Sequence, residues 1–89
     1  MKLVFEKKFA KDLKKIQDKQ LLKRLNFLID QLSCANSLKE LNENIKRMKS
    51  NPSYWRIKIG NYRIGLEKKG EQIILVRILH RKDIYKYFP

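Results

Sequence analysis

The sequence of 89 residues contains little cysteine, histidine, glycine or proline, and few acidic side chains. Its single cysteine, Cys34, cannot form an internal disulfide, which is typical of a protein in a reducing compartment. One cysteine and one histidine fall short of the ligand set of a usual zinc site. The three glycines are not grouped, which excludes a P-loop and a dinucleotide-binding fingerprint. We therefore expect no metal ion and no cofactor.

Long apolar stretches are also missing from the chain. No run approaches the roughly 20 residues of a membrane span, and the first residues lack the apolar stretch of a signal peptide. Apolar residues still make up 43% of the sequence, which is enough for one core. We expect a single domain over residues 1–89, cytoplasmic and without a membrane partner.

Positive charge is what the chain has in excess. It carries 22 Lys and Arg against 9 Asp and Glu, a formal net charge of +13. This charge is spread along the chain rather than held in a tail, so it belongs to a folded surface. Such a surface attracts polyanions, or an acidic protein that covers it.

The first half of the sequence predicts two helices. Asp18 is placed to cap the second helix, and the short break before it predicts an antiparallel helical hairpin. A brief strand over Lys2–Phe5 is expected to precede the hairpin, and residues 38–48 are expected to form a loose connecting segment. The apolar residues that recur at helical spacing are Phe5, Phe9, Leu13 and Ile16 in the first helix, and Leu21, Leu25, Leu28 and Leu32 in the second.

The second half predicts an antiparallel meander of three strands. Over residues 54–59, apolar side chains alternate with Arg56 and Lys58. A turn at Gly60 and Asn61 leads into residues 62–67, where Arg63 lies on the polar side. Residues 73–79 are almost wholly apolar, as in a central strand that is covered on both faces. With the first strand, these patterns predict an α+β fold: an N-terminal helical hairpin packed on a small, mainly antiparallel four-stranded sheet.

Cationic and phenolic side chains are expected to gather on the polar face of this meander. Metal-free cleavage of RNA through its own 2′-hydroxyl needs a base for that proton, cations for the charge on phosphate, and an acid for the departing 5′-oxygen. Basic faces also occur on domains that only bind nucleic acid, and spacing alone does not separate the two functions. The residues expected to converge are Arg56, Lys58, Arg63, His80, Arg81, Tyr85 and Tyr87.

Two segments resemble signatures of the RelE/ParE superfamily of bacterial and archaeal toxins. Residues 54–65 read YWRIKIGNYRIG, which is similar to the family's Y-R-I-R-I-G-D-Y-R-I. Residues 76–85 read VRILHRKDIY, which is similar to its V-x-x-I-x-H-R-x-x-V/I-Y ending. The order and spacing match, and the resemblance covers nearly the whole chain. It implies a RelE-like fold and the toxin of a type II toxin–antitoxin module.

The resemblance is strongest to the RelE branch, which implies a metal-independent endoribonuclease that cuts mRNA at the ribosomal A site. Its implied partners are the ribosome, mRNA and a small RelB-like antitoxin that wraps the toxin. The first basic position of the motif, often lysine in that branch, is here Arg56, which binds phosphate but cannot act as a base. Lys58 is then the better candidate for the base. The implied catalytic residues are Lys58, Arg63, Arg81, Tyr85 and His80, and the implied RNA-binding residues are Arg56, Lys58 and Tyr87.

Two points stay open on the sequence. Either His80 or Arg81 could lie beside the scissile phosphate. The alternatives in function are a ParE-like inhibitor of DNA gyrase, and a catalytically silent relative that binds the antitoxin or RNA. The basic and tyrosine set argues against the gyrase inhibitor, because that branch typically lacks the full set.

Overall fold

A computed structural model describes the backbone of residues 1–88 and all of their side chains except those of residues 42 and 43. Pro89, the last residue of the expected domain, lies outside the described residues. None of the helices within residues 1–88 is long and apolar enough to cross a membrane. The elements in chain order are β1 (Lys2–Phe5), α1 (Lys7–Lys14), α2 (Lys19–Cys34), a 3₁₀ helix (Leu38–Asn44), β2 (Ile45–Arg47), β3 (Tyr54–Ile59), β4 (Tyr62–Lys69), β5 (Gln72–His80) and α3 (Arg81–Tyr87).

The strands form one sheet in the order β1-β5-β4-β3-β2. β1 runs parallel to β5, and the other pairs are antiparallel. The α+β class is therefore as predicted, but the sheet has five strands and not four. The additional strand is β2, which pairs with β3 where a loose connecting segment was expected. Its three residues are too few to show an alternating pattern, and Lys46 and Arg47 give this edge the exposed charge that discourages pairing with another chain.

The predicted helical hairpin packs on one side of the sheet. The Asp18 carboxylate caps α2, where its Oδ1 accepts the N–H groups of Gln20 at 3.0 Å and Leu21 at 3.2 Å. We call the side that meets the hairpin the helix face and the opposite side the far face. The helix face buries, among others, Leu25 and Leu32 of α2 against Ile57 of β3, Ile64 of β4 and Leu75 of β5. Each such side chain contributes about 1.5–3 kcal/mol to folding.

The pairing of β4 with β5 contains a bulge that changes which residues of β5 face the hairpin. Leu66 pairs with Leu75, but the next residue, Gly65, pairs with Arg77, so Val76 is left without a partner. Strict alternation from Leu75 would have turned Arg77 into the hydrophobic core. The extra residue instead moves Arg77 to the far face and places Ile78 in the core.

An ion pair lies at the part of β5 that extends past the end of β1 and has none of the described strands beside it on that edge. The Asp12 carboxylate on α1 accepts hydrogen bonds from Arg77 Nε at 2.8 Å and Nη2 at 2.9 Å, and from the backbone N–H of Ile78 at 3.1 Å. The hydrogen bond to Asp12 raises the pKa of Arg77, against an opposing effect of burial. The Arg77 guanidinium also lies 5.6 Å from the ring centre of Tyr87. The Asp12–Arg77 pair therefore joins α1, β5 and α3.

The short C-terminal helix α3 has no clear signal in the sequence, and it packs on the far face. Ile84 of α3 is fully buried. Phe88, the residue that follows the end of α3, covers Gly65 of β4. A β-carbon at Gly65 would lie 2.4 Å from the Phe88 ring, so only glycine lets the helix end approach this closely. The Phe88 ring also contacts Tyr54, with ring centres 5.3 Å apart. These contacts fix where α3 presents its remaining side chains.

Candidate active site

The register of β3 and β4 brings three predicted site residues together on the far face. Lys58 pairs directly with Arg63, and Arg56 pairs with Gly65 one step along the same face. Side chains that are paired in this way have β-carbons about 4.5–5.5 Å apart. Like charges directly opposite each other destabilise a sheet. This arrangement therefore favours an anion that offsets the repulsion.

Arg63 is half-buried, and its guanidinium folds back over the β3–β4 turn. Its Nη1 donates to the carbonyl oxygens of Gly60 at 3.1 Å and Tyr62 at 2.9 Å. Gly60 has a φ of 58°, a left-handed conformation that suits a tight hairpin turn and favours glycine. These two hydrogen bonds hold the Arg63 side chain in place. Because a guanidinium has more N–H donors than they use, Arg63 can still bind phosphate.

Tyr85 reaches the same place from α3. The Arg56 guanidinium lies 4.7 Å from the centre of the Tyr85 ring, a cation–π contact. Tyr85 is 66% exposed, so much of its ring remains free to stack on a ligand. Arg81 is the first residue of α3 and precedes Tyr85 by four positions, which puts both on the same side of the helix. Arg81 is exposed.

A cavity of about 290 Å³, the basic cavity, lies between β2, β3, β4 and α3 and is lined by Arg56, Lys58, Arg63 and Tyr85 but not by Arg81. Asn44 and Lys46 also line it. Sequence reasoning missed both because residues 38–48 were expected to form a loose connecting segment, whereas Asn44 ends the 3₁₀ helix and Lys46 lies in β2. Cavities of about 380 and 390 Å³ occur elsewhere, so size does not distinguish this one; its concentration of cations does. The complete lining is Asn44, Lys46, Arg56, Lys58, Arg63 and Tyr85.

Three of the predicted site residues do not line the basic cavity: Arg81, His80 and Tyr87. His80 pairs with Tyr62 on the helix face, with ring centres 5.7 Å apart, and its Nδ1 accepts the backbone N–H of Lys82 at 3.2 Å as the cap of α3. Tyr87 lies against Arg77. The expectation that all seven residues converge is therefore wrong for His80 and Tyr87, and Arg81 is not among the residues that line the cavity. For His80 the cause is the bulge at Val76, because regular pairing would have put His80 on the far face with Arg63.

Comparison with known proteins places the chain in a family. A family model described as the ParE toxin of type II toxin–antitoxin systems, parDE, matches residues 3–85. The chain belongs to this family. It is also 47% identical to the toxin RelE3 of Methanocaldococcus jannaschii over 89 residues, which cover 100% of both chains. The resemblance to the RelE/ParE superfamily is thereby confirmed.

Solved structures share the fold of this toxin. A chain from a RelB–RelE antitoxin–toxin complex of Methanococcus jannaschii matches with a TM-score of 0.82 and 45% identity, over 97% of this chain and 99% of the other. A chain from an archaeal RelE–RelB complex of Pyrococcus horikoshii matches with a TM-score of 0.71 and 17% identity, over 90% and 93%. The second likeness shows the fold alone. The far-face sheet and α3 that carry the basic cavity thus belong to a RelE-like domain.

Proposed function

We propose that this toxin is an mRNA interferase, a metal-independent endoribonuclease that cleaves mRNA at the ribosomal A site. The observation that carries the proposal is the basic cavity, whose lining includes Arg56, Lys58 and Arg63, with Arg56 against the ring of Tyr85. Within the part of the chain whose side chains are described, no carboxylate lines this cavity. Its charge therefore suits a polyanion such as the RNA backbone.

The residues of the cavity fit cleavage by internal transesterification. In this reaction the 2′-oxygen attacks the adjacent phosphorus, the bond from phosphorus to the 5′-oxygen breaks, and a cyclic phosphate and a 5′-hydroxyl are formed. Lys58 would take the proton of the 2′-hydroxyl, and Arg63 and Arg81 would stabilise the charge that develops on the phosphate oxygens. A water molecule would protonate the departing 5′-oxygen. Arg56 would hold the backbone, and Tyr85 would stack on a base. His80 has no part in this arrangement because it lies on the helix face.

We further propose that a RelB-like antitoxin is the natural partner of this toxin, and that the ribosome and mRNA are its targets. The support is that the relative with 45% identity was crystallised as a RelB–RelE antitoxin–toxin complex. An acidic, flexible antitoxin segment could cover the positive surface and fold as it binds, at the expense of some ordering free energy.

The test is expression of the toxin in a coupled translation system, with mRNA 5′ ends mapped by primer extension. We expect new ends at A-site codons with the wild type, and a loss of at least about 100-fold with Arg63→Ala, by analogy with removal of a charge-stabilising donor. Lys69→Ala, which removes the same charge from the exposed last position of β4, should cleave like the wild type. Toxin stripped with EDTA beforehand should remain active. Intact mRNA with blocked DNA supercoiling would instead support the gyrase inhibitor, and intact mRNA with normal supercoiling would support a silent binding domain.

A further inference from the structure

A second basic cavity, of about 330 Å³, lies on the helix face, between the segment after α2 and the β2–β3 connection. We call it the Trp55 cavity. Three cations line it: Lys39 from the 3₁₀ helix, Arg47 from β2 and Lys68 from β4. The hydroxyl-bearing Ser37 and Ser53 contribute to its wall. We propose that this cavity binds a phosphate group of an RNA strand, at a site separate from the basic cavity.

Arg47 is held in a fixed position before any ligand arrives. Its Nε donates to the carbonyl oxygen of Pro52 at 2.7 Å, and its guanidinium lies 5.4 Å from the centre of the Trp55 ring. These two contacts engage one edge and one face of the guanidinium, and they leave its terminal amino groups for an anion. Because the side chain is already ordered, binding an anion costs little further side-chain entropy.

The two cavities are separated by the edge strand β2. Lys46 pairs with Arg56 and lines the basic cavity, whereas the next residue, Arg47, pairs with Trp55 and lines the Trp55 cavity. Successive residues of a strand point to opposite faces, so the sheet itself lies between the two sites. The Trp55 cavity therefore shares no lining residue with the basic cavity.

The lining favours a phosphate over a base or a carboxylate. Trp55 is only 8% exposed and is covered by Arg47, so its ring is not available for stacking on a base. One guanidinium fork satisfies a carboxylate, but three cations with hydroxyl groups suit a group with more oxygens. Glu40 is nearby in the chain, but its carboxylate accepts the Asn36 N–H at 3.3 Å and does not line the cavity. The site thus combines a fixed guanidinium fork with the ammonium groups of Lys39 and Lys68.

Trp55 is the one tryptophan of the chain, so its fluorescence reports on this cavity directly. The experiment titrates the toxin with a short 2′-O-methyl oligouridylate, which cannot be cleaved through its 2′-oxygen, and repeats the titration at several salt concentrations. We expect a saturable change in tryptophan emission. With Lys68→Gln, the slope of log K against log salt should become less negative by about 0.7, the value for one single-strand phosphate contact. Lys68→Gln leaves Arg47 and Trp55 in place, so the probe is retained.

The matched control is Lys69→Gln at the next position, where the side chain is 64% exposed and does not line the cavity. It should bind with the wild-type slope. Equal losses in Lys68→Gln and Lys69→Gln would mean a general charge effect and would overturn the proposal. A response to pyrophosphate but not to the oligonucleotide, or an equal response to a polyglutamate peptide, would also overturn it. Because no cleavage is measured, a negative result here does not bear on the proposed nuclease activity. A negative result in the cleavage assay likewise does not bear on binding at the Trp55 cavity.

Discussion

Replacement of Asp12 by alanine should destabilise the toxin more than its single lost charge suggests. The change removes three hydrogen bonds, two from Arg77 and one from the buried Ile78 N–H. Breaking a buried ion pair costs about 3–5 kcal/mol. The Arg77 side chain is 17% exposed and that of Asp12 only 4%. Water can therefore solvate the unpaired Arg77 in part, which lowers the cost of the substitution. We expect about 3 kcal/mol, out of a total of about 4–13 kcal/mol for a chain of this length.

Urea unfolding followed by far-ultraviolet circular dichroism measures this difference. The midpoint should fall with an unchanged m-value, and the melting temperature should drop by about 12–24 °C. Asp30→Ala is the matched control, because it makes the same charge change at an exposed position of α2 and should lose less than about 0.5 kcal/mol. If the two variants unfold within about 1 kcal/mol of each other, the Asp12–Arg77 pair does not hold the sheet edge as described.

The pH dependence of this pair follows from the raised pKa of Arg77. A group whose pKa is higher in the folded state stabilises fully below its unfolded pKa, and the contribution is lost as the pH rises through the folded pKa. For an arginine both values lie far above neutrality. The gap in unfolding free energy between wild type and Arg77→Gln should therefore stay constant from neutral to mildly alkaline pH. A gap that closes in that range would contradict this assignment.

Three further substitutions test other parts of the fold and site. Gly65→Ala places a β-carbon 2.4 Å from the Phe88 ring and should cost about 1–3 kcal/mol in urea unfolding, but much less when Phe88 is already alanine, as a double-mutant cycle would show. Asp18→Ala removes the cap of α2 and should cost about 1 kcal/mol in the same assay, whereas Asp18→Asn should cost only a few tenths. Tyr85→Ala should weaken RNA binding by about tenfold in fluorescence anisotropy, and Tyr85→Phe should not, if stacking is its role.

Much of the candidate site could be predicted because it depends on local patterns. The alternation of β3 and the two-residue turn after it determine that Arg56, Lys58 and Arg63 share a face. The cap at Asp18 is equally local, since the carboxylate bonds to residues two and three positions later. Features of this kind depend on neighbours in the chain, and neighbours are what a single sequence displays.

The positions of His80 and Lys46 could not be predicted in the same way. A single unpaired residue, Val76, changes which side of the sheet each later residue of β5 faces. No local pattern in the sequence marks a bulge within a run of apolar residues. β2 gains its strand conformation from pairing with β3, so Lys46 reaches the basic cavity through a tertiary contact. Both errors arise where long-range pairing decides the outcome.

The parallel pairing of β1 with β5 has a consequence for synthesis of the toxin. Leu3, made near the start, pairs with Ile73, and β5 is an interior strand flanked by β1 and β4. While the chain is still emerging from the ribosome, the sheet lacks this interior strand, and folding that depends on such distant contacts is slow. Tyr85 follows later still. The nascent toxin therefore has neither its complete sheet nor the Tyr85 ring of the basic cavity until the residues beyond β5 have been made.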